Sequence, residues 1–152
     1  MKIVADLQKQ VLYVANKYID ISCNVRNELN GLRNKSAVVL SIPDKKPVMP
    51  RQFPIGVWEI YKPVKRDSAY LAPYFIPTNA FQMLPIWELD NNGLYKRKTT
   101  NLTRDIGYGL HYSTSSTTLG CIKIQQKNDL LWIIEYIGEC FNKDIFLEIE
   151  VI

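Results

Sequence analysis

The chain contains one histidine, His111, and Cys121 follows ten positions later across a hydroxyl run, in "HYSTSSTTLGC". An imidazole and a thiol are the ingredients of a cysteine nucleophile: the imidazole takes the thiol proton and stabilises the thiolate that attacks. Gly120 stands directly before the thiol. A glycine there permits a tight turn and close approach of a substrate carbonyl, with neighbouring N–H groups aimed at a developing oxyanion. If residues 109–112 and 121–124 form adjacent strands joined by the hydroxyl loop, the two side chains come within reach. No Asp or Glu lies inside that loop, so a backbone carbonyl or a loop hydroxyl would have to hold the imidazole tautomer. The same spacing also suits a small buried cysteine and a surface histidine. Residue types alone leave both readings open.

The remaining candidates are fewer. Cys23 and Cys140 complete an odd set of three cysteines, so at least one thiol is free or pairs with another chain. Cys23 alternates with apolar residues and Cys140 closes "WIIEYIGEC", which reads as two buried, inert thiols. With one histidine and no Cys-x-x-Cys pair, no metal site is expected, and nothing calls for a cofactor. "GYG" at 107–109 lacks the following helix of a phosphate loop and reads as room beside the histidine. Trp58, Trp87 and Trp132 are too widely spaced for a stacking platform.

The elements that must position these residues fit one domain, 1–152. Apolar residues make up 47% and charged residues 22%, in the range of ordinary folded domains. The net charge of +4 is mild and its lysines and arginines are scattered, so no nucleic-acid partner is expected. No run of about 18 apolar residues occurs, which excludes insertion as a helical span. The opening "MKIVADLQKQVLYVANKY" reaches Asp6 and Gln8 before any long apolar run and does not read as a secretory leader.

Strands are expected at "KIVADL", "QVLYVA" and "YIDISCNV", the last alternating Ile19, Ile21, Cys23 and Val25 with polar residues. "NELNGLRNKS" suits a loop or one helical turn, and "AVVLSI" a strand buried on both faces. "PDKKPVMPRQFP" holds four prolines in twelve residues and reads as an irregular connection. "GVWEIYKPV" returns to strand, and "YLAPYFIPTNAFQMLPIWEL" to strand and loop. "DNNGLYKRKTTNLTRD" reads as a polar surface excursion. One helix is predicted near the end, with Asn128 as N-cap, Asp129 in the first turn, and Leu130, Leu131, Ile133, Ile134 and Ile137 as its apolar face, weakened or ended by Gly138. "IFLEIEVI" closes as a strand. The fold class is mostly β, with one or two short helices.

"TLGCIKI" (118–124) after "GLHY" resembles the active-site motif of L,D-transpeptidases of the YkuD type: a His, a variable loop, Ser/Thr, any residue, Gly, Cys, an aliphatic residue, then usually Arg or Asn. "IVADLQKQVLYVANKYIDISCNV" is similar to that family's opening hairpin. "MPRQFPIGVWEI" resembles its proline-glycine strand, with Pro54 and Gly56 in place, and "KNDLLWIIEYI" its short helix. The likeness covers nearly the whole chain in the family's order. Lys123 stands where Arg or Asn is usual, Leu119 where a polar residue is common, and residues 78–104 read as an insertion. The short His-to-Cys loop is similar to that of compact phage or secreted-effector branches.

The resemblance implies a single YkuD-like β-sandwich domain that cuts the bond between diaminopimelate and D-alanine in peptidoglycan stem peptides through a thioester. Carried over, Cys121 is the nucleophile and His111 its base. Gly120, with the Cys121 N–H, belongs to the oxyanion hole, and Thr118 shapes the loop behind it. Lys123 would face the substrate's charged end as a point charge in place of a bidentate guanidinium. Tyr108 and Tyr112 would line the groove, with a core or surface role for each equally open. Arg104 is a weaker carboxylate-binding candidate, competing with a solvated role. Amine, water or a free D-amino acid as acceptor would give transpeptidation, carboxypeptidase action or exchange. The competing reading is a non-catalytic wall-binding or structural module that retains the fold. The implied partner is the stem peptide, bound by a monomer in the periplasm or cell wall. Without a leader, that location implies non-standard export, a phage lysis role, or a leader already removed.

Overall fold

The computed structural model describes residues 2–23, 39–41, 46–48, 52–67, 73–89, 95–114, 118 and 120–152. "NELNGLRNKS", Val25, Leu119 and residues 115–117 of the hydroxyl run lie outside them.

The first three strands are as short-range alternation demands. β1 (Lys2–Asp6), β2 (Val11–Val14) and β3 (Lys17–Ser22) bury Ile3 and Ala5, Leu12 and Val14, Ile19 and Ile21, and turn the residues between outward. The β2–β3 connection is the two-residue turn Ala15–Asn16, fixed by the Val14↔Lys17 register. Further on come β4 (Val39–Ser41), β5 (Lys46–Val48), β6 (Gly56–Glu59), β7 (Val64–Lys65), β8 (Tyr74–Pro77), β9 (Gln82–Leu89), β10 (Tyr95–Asp105), β11 (Gly109–Tyr112) and β12 (Ile122–Ile124). The chain ends with α1 (Lys127–Asn142) and β13 (Glu148–Val151).

Nine strands join in one mixed sheet, in the order β6-β13-β1-β2-β3-β12-β11-β8-β7, curled into a half-barrel within a single mostly-β domain. β1 and β13 run parallel, as do β11 and β12; the other pairs in this sheet are antiparallel. The apolar stripe of α1, Leu130, Ile133, Ile137 and Cys140, packs with Leu110, Ile122, Ile124, Ile76 and the inward residues of β1–β3 and β13 to form the core. Burying each such side chain fully is worth about 1.5–3 kcal/mol.

Four expectations are corrected. The helix begins at Lys127, with extended Gln126 at the cap position making no side-chain cap bond, so Asn128 lies inside the first turn. Asp129 supplies the favourable charge there and lies 3.5 Å from the Lys17 ammonium. Nor does Gly138 end the helix; burial of Ile137 and Cys140 on either side outweighs the glycine's cost of about 1 kcal/mol. The true stop is a Schellman turn: Ile145 N–H donates to the Cys140 carbonyl at 2.8 Å and Asp144 N–H to that of Phe141 at 3.1 Å, with Asp144 at φ 54.

The supposed surface excursion holds a strand, since β10 pairs antiparallel with β9 as a separate two-stranded ribbon, interrupted between Arg97 and Leu102. Its threonines favour extended backbone even where polarity hides the pattern. The proline-rich connection likewise contains β5, paired with β4 in a two-stranded sheet where Pro47 faces Leu40. A proline is tolerated there because each strand of such a pair has an open edge.

Candidate functional site

β11 and β12 lie side by side in parallel, with Leu110 opposite Ile122, His111 opposite Lys123 and Tyr112 opposite Ile124. Side chains alternate along a strand. Leu110, Tyr112, Ile122 and Ile124 therefore share the face packed by the helix, and His111 and Lys123 share the other. The row continues on both sides, since Phe75 of β8 is opposite His111 and Ser22 of β3 is opposite Lys123. Cys121 stands directly before β12, so the loop returns the thiol to the start of the strand that pairs with the histidine's own.

That face is polar yet buried. The buried polar residues among those described are Ser22, Thr78, Asp105, His111, Ser113, Thr118 and Lys123. Five of them stand on β3, β11, β12 or the 113–120 connection. An imidazole at 5% exposure and an ammonium at 8% are costly to bury unless hydrogen-bonded.

Each part is held by an identifiable contact. His111 Nδ1 lies 3.2 Å from the Tyr112 carbonyl oxygen; with Nδ1 protonated it donates there, leaving the Nε2 lone pair to accept a proton. Phe75 tilts against the imidazole with ring centroids 6.4 Å apart. The Phe75 ring also lies over Gly109, where a β-carbon would overlap both that ring and the Ile76 carbonyl. Gly109 is thus what lets β8 approach β11 beside the histidine. The Thr118 hydroxyl donates to the Cys121 carbonyl at 2.8 Å and accepts the Gly120 N–H at 3.2 Å. This closes a small turn around Gly120, whose φ of 121° suits glycine. Cys121 is half-buried, and its thiol donates to the Gly107 carbonyl, 3.8 Å away.

The other predicted site residues separate from this group. Tyr108 is buried at the core side, its ring edge-on to Phe53 at 5.7 Å and its hydroxyl donating to Asp105. Tyr112 is half-buried against the core, on the face opposite His111. Arg104 is exposed on the β9–β10 ribbon, its guanidinium 4.3 Å over the Phe81 ring. Cys23 packs against the core, where burial pushes its thiol up to about 11, and Cys140 is buried within α1.

Ser22, Phe75 and Gly107 enter the site unannounced by the motif. Ser22 was legible as the polar phase of "YIDISC", while Phe75 depends on register across the sheet and Gly107 on the contact of its carbonyl with the thiol. Among the described residues, no three His, Cys, Asp or Glu side chains group closely enough to hold a metal ion, and no helix is long and apolar enough to cross a membrane. Comparison with protein-family models, with characterised proteins and with solved structures yields no match.

Proposed function

We propose that this chain is a cysteine acyltransferase or hydrolase of the L,D-transpeptidase (YkuD) type acting on peptidoglycan stem peptides. The observation that supports the reading is that His111 stands on β11 and Cys121 directly precedes β12, its parallel neighbour, with the imidazole held through Nδ1 at the Tyr112 carbonyl. In this reading Cys121 Sγ attacks the diaminopimelate carbonyl at the bond to D-alanine, while His111 Nε2 takes the thiol proton. The carbon–nitrogen bond then breaks, His111 returns the proton to the departing D-alanine amine, and a thioester remains on Cys121. An amine or water completes the cycle.

The Gly120 N–H is committed to Thr118, so the Cys121 N–H is assigned to the oxyanion and Gly120 contributes by its conformation. Lys123, beside His111, is assigned to the substrate's carboxylate as a point charge. Tyr108, Tyr112 and Arg104 are given no contact with substrate. The finer fold that accompanies this reading is a YkuD-like β-sandwich, and the implied location is the periplasm or cell wall.

A carbapenem, which acylates such thiols, tests the assignment by intact-mass measurement. One covalent adduct is expected on the wild type and none on Cys121→Ala; no adduct, or one that survives the substitution, overturns it. A non-catalytic wall-binding module is the second reading, favoured by the loss of the Gly120 amide to Thr118. It predicts retention on sedimented peptidoglycan with no released D-alanine.

A further inference from the structure

Tyr108 stands between Gly107, whose carbonyl faces the thiol, and Gly109, which carries the Phe75 ring, and it is clamped at both ends. Its carbonyl accepts both the Thr78 N–H at 3.2 Å and the Thr78 hydroxyl at 2.6 Å. The Thr78 hydroxyl in turn accepts the Ala80 N–H at 3.2 Å. At the other end, the Tyr108 hydroxyl donates to the Asp105 carboxylate and accepts a Gln82 Nε2–H at 2.6 Å. The same Gln82 amide reaches the Gln52 carbonyl at 3.2 Å. Among the described residues, Thr78 and Asp105 are the two buried polar residues outside the His111 group, and both bond to this tyrosine.

The Gly107 carbonyl belongs to the peptide unit that ends at the Tyr108 nitrogen. Holding Tyr108 at its carbonyl and its hydroxyl therefore fixes where that carbonyl points, which is at Cys121 Sγ. A carbonyl oxygen presents its negative end: it accepts an S–H bond and repels a thiolate. Among the described residues, the titratable groups on the polar face of β11 and β12 are His111 and Lys123. β8 contributes Phe75 and Pro77 there, and β3 contributes Ser22 with exposed Asp20 further along. Helix α1 is on the opposite face.

We propose that the Thr78–Tyr108–Asp105–Gln82 clamp is a positioning device that holds the Gly107 carbonyl against Cys121, so that the nucleophile rests as a neutral thiol. This rests on the reading of Cys121 as the nucleophile. At rest the S–H bond points to the Gly107 oxygen. On catalysis the proton passes to His111 Nε2, and the sulfur electron pair so released forms the bond to substrate carbon. Tyr108 is thus a positioning residue that acts through a backbone carbonyl.

The test is the rate of iodoacetamide alkylation at Cys121 as a function of pH, located by peptide mass mapping, with melting temperature measured in parallel. Tyr108→Phe removes the hydroxyl from Asp105 and Gln82, and the alkylation midpoint is expected to fall by about one pH unit as the carbonyl is released. Thr78→Val, which keeps the Thr78 N–H, is expected to move it in the same direction by less. A folded Tyr108→Phe whose midpoint is unmoved or raised overturns the proposal, as does a lowered melting temperature with an unchanged pH profile. If Tyr108→Phe does not fold, Gln82→Leu, which deletes one of the hydroxyl's two partners, decides by the same criterion. Alkylation needs no peptidoglycan. A lowered midpoint without a carbapenem adduct sinks the enzyme and leaves the clamp; an adduct with unmoved midpoints does the reverse.

Discussion

The two faces of β11 and β12 are buried alike and built from opposite materials. Toward the helix stand Leu110, Ile122 and Ile124, each at 1% exposure or less; away from it stand His111 and Lys123 at 5% and 8%. Burial of the first three stabilises the fold by hydrocarbon transfer. Burial of an imidazole and an ammonium costs free energy that only partners can offset. Within strands of three and four residues, therefore, what keeps the chain folded and what could do chemistry are separated by the pleat alone. The lesson is that loss of fold and loss of chemistry should be separable by substitutions one residue apart.

The strongest test of that separation is His111→Ala. Acylation of Cys121 by a carbapenem is expected to slow by about 10²- to 10⁴-fold, the usual worth of a positioned general base, measured below the melting temperature, which the cavity left beside Phe75 is expected to lower. A comparable rate in the variant would break the division, because the polar face would then have no chemical role. Next in size is Ile122→Ala, one residue away on the helix face, which is expected to cost about 2–5 kcal/mol in denaturant unfolding. Below its melting temperature that variant should still acylate at near wild-type rate. Lys123→Met sharpens the comparison from the other side. Turnover of stem peptides should fall about tenfold or more for want of the charge. Unchanged turnover would remove Lys123 from the substrate's path.

These residues were unequally legible. Alternation gave β1, β2 and β3 with their inward residues, and the helical stripe gave α1, because both patterns depend on residues near in sequence. The ten-residue spacing of His111 and Cys121 was readable, and the expected neighbouring strands are present as β11, which holds His111, and β12, which starts directly after Cys121. The helix ends were misread for a local reason: Asn128 and Gly138 are good cap residues by type, but tertiary burial and the left-handed Asp144 set the limits. β10 was missed because its lysines, arginines and threonines show no apolar period. "GYG" was legible as room beside the histidine and a core role for Tyr108 was one of two open readings, but the contacts of Phe75 and of the Gly107 carbonyl were not, since they arise where β8 and β11 pack and where a carbonyl meets a thiol fourteen residues away.

The smallest expected effect concerns Cys23, the thiol on the core side, set against Cys121 directly before β12. Cys23 follows Ser22 at the end of β3 and packs with the core, and burial lifts its thiol to about 11. In the unfolded chain a cysteine loses its proton near pH 8.5. Between those values the unfolded state binds fewer protons than the folded one, so stability falls as pH rises through this window and is fully retained below it. Tyr136, also raised by burial, adds a decline of the same sign above its ordinary range. Urea unfolding of the wild type should therefore show a shallow loss of stability from about pH 9 to 11, and Cys23→Ala should flatten most of it below pH 10, where Tyr136 contributes least. In the same window alkylation should reach Cys121 well before Cys23. Equal labelling of both thiols in the folded protein would mean that burial does not divide reactive from inert sulfur, and the comparison would fail at its finest point.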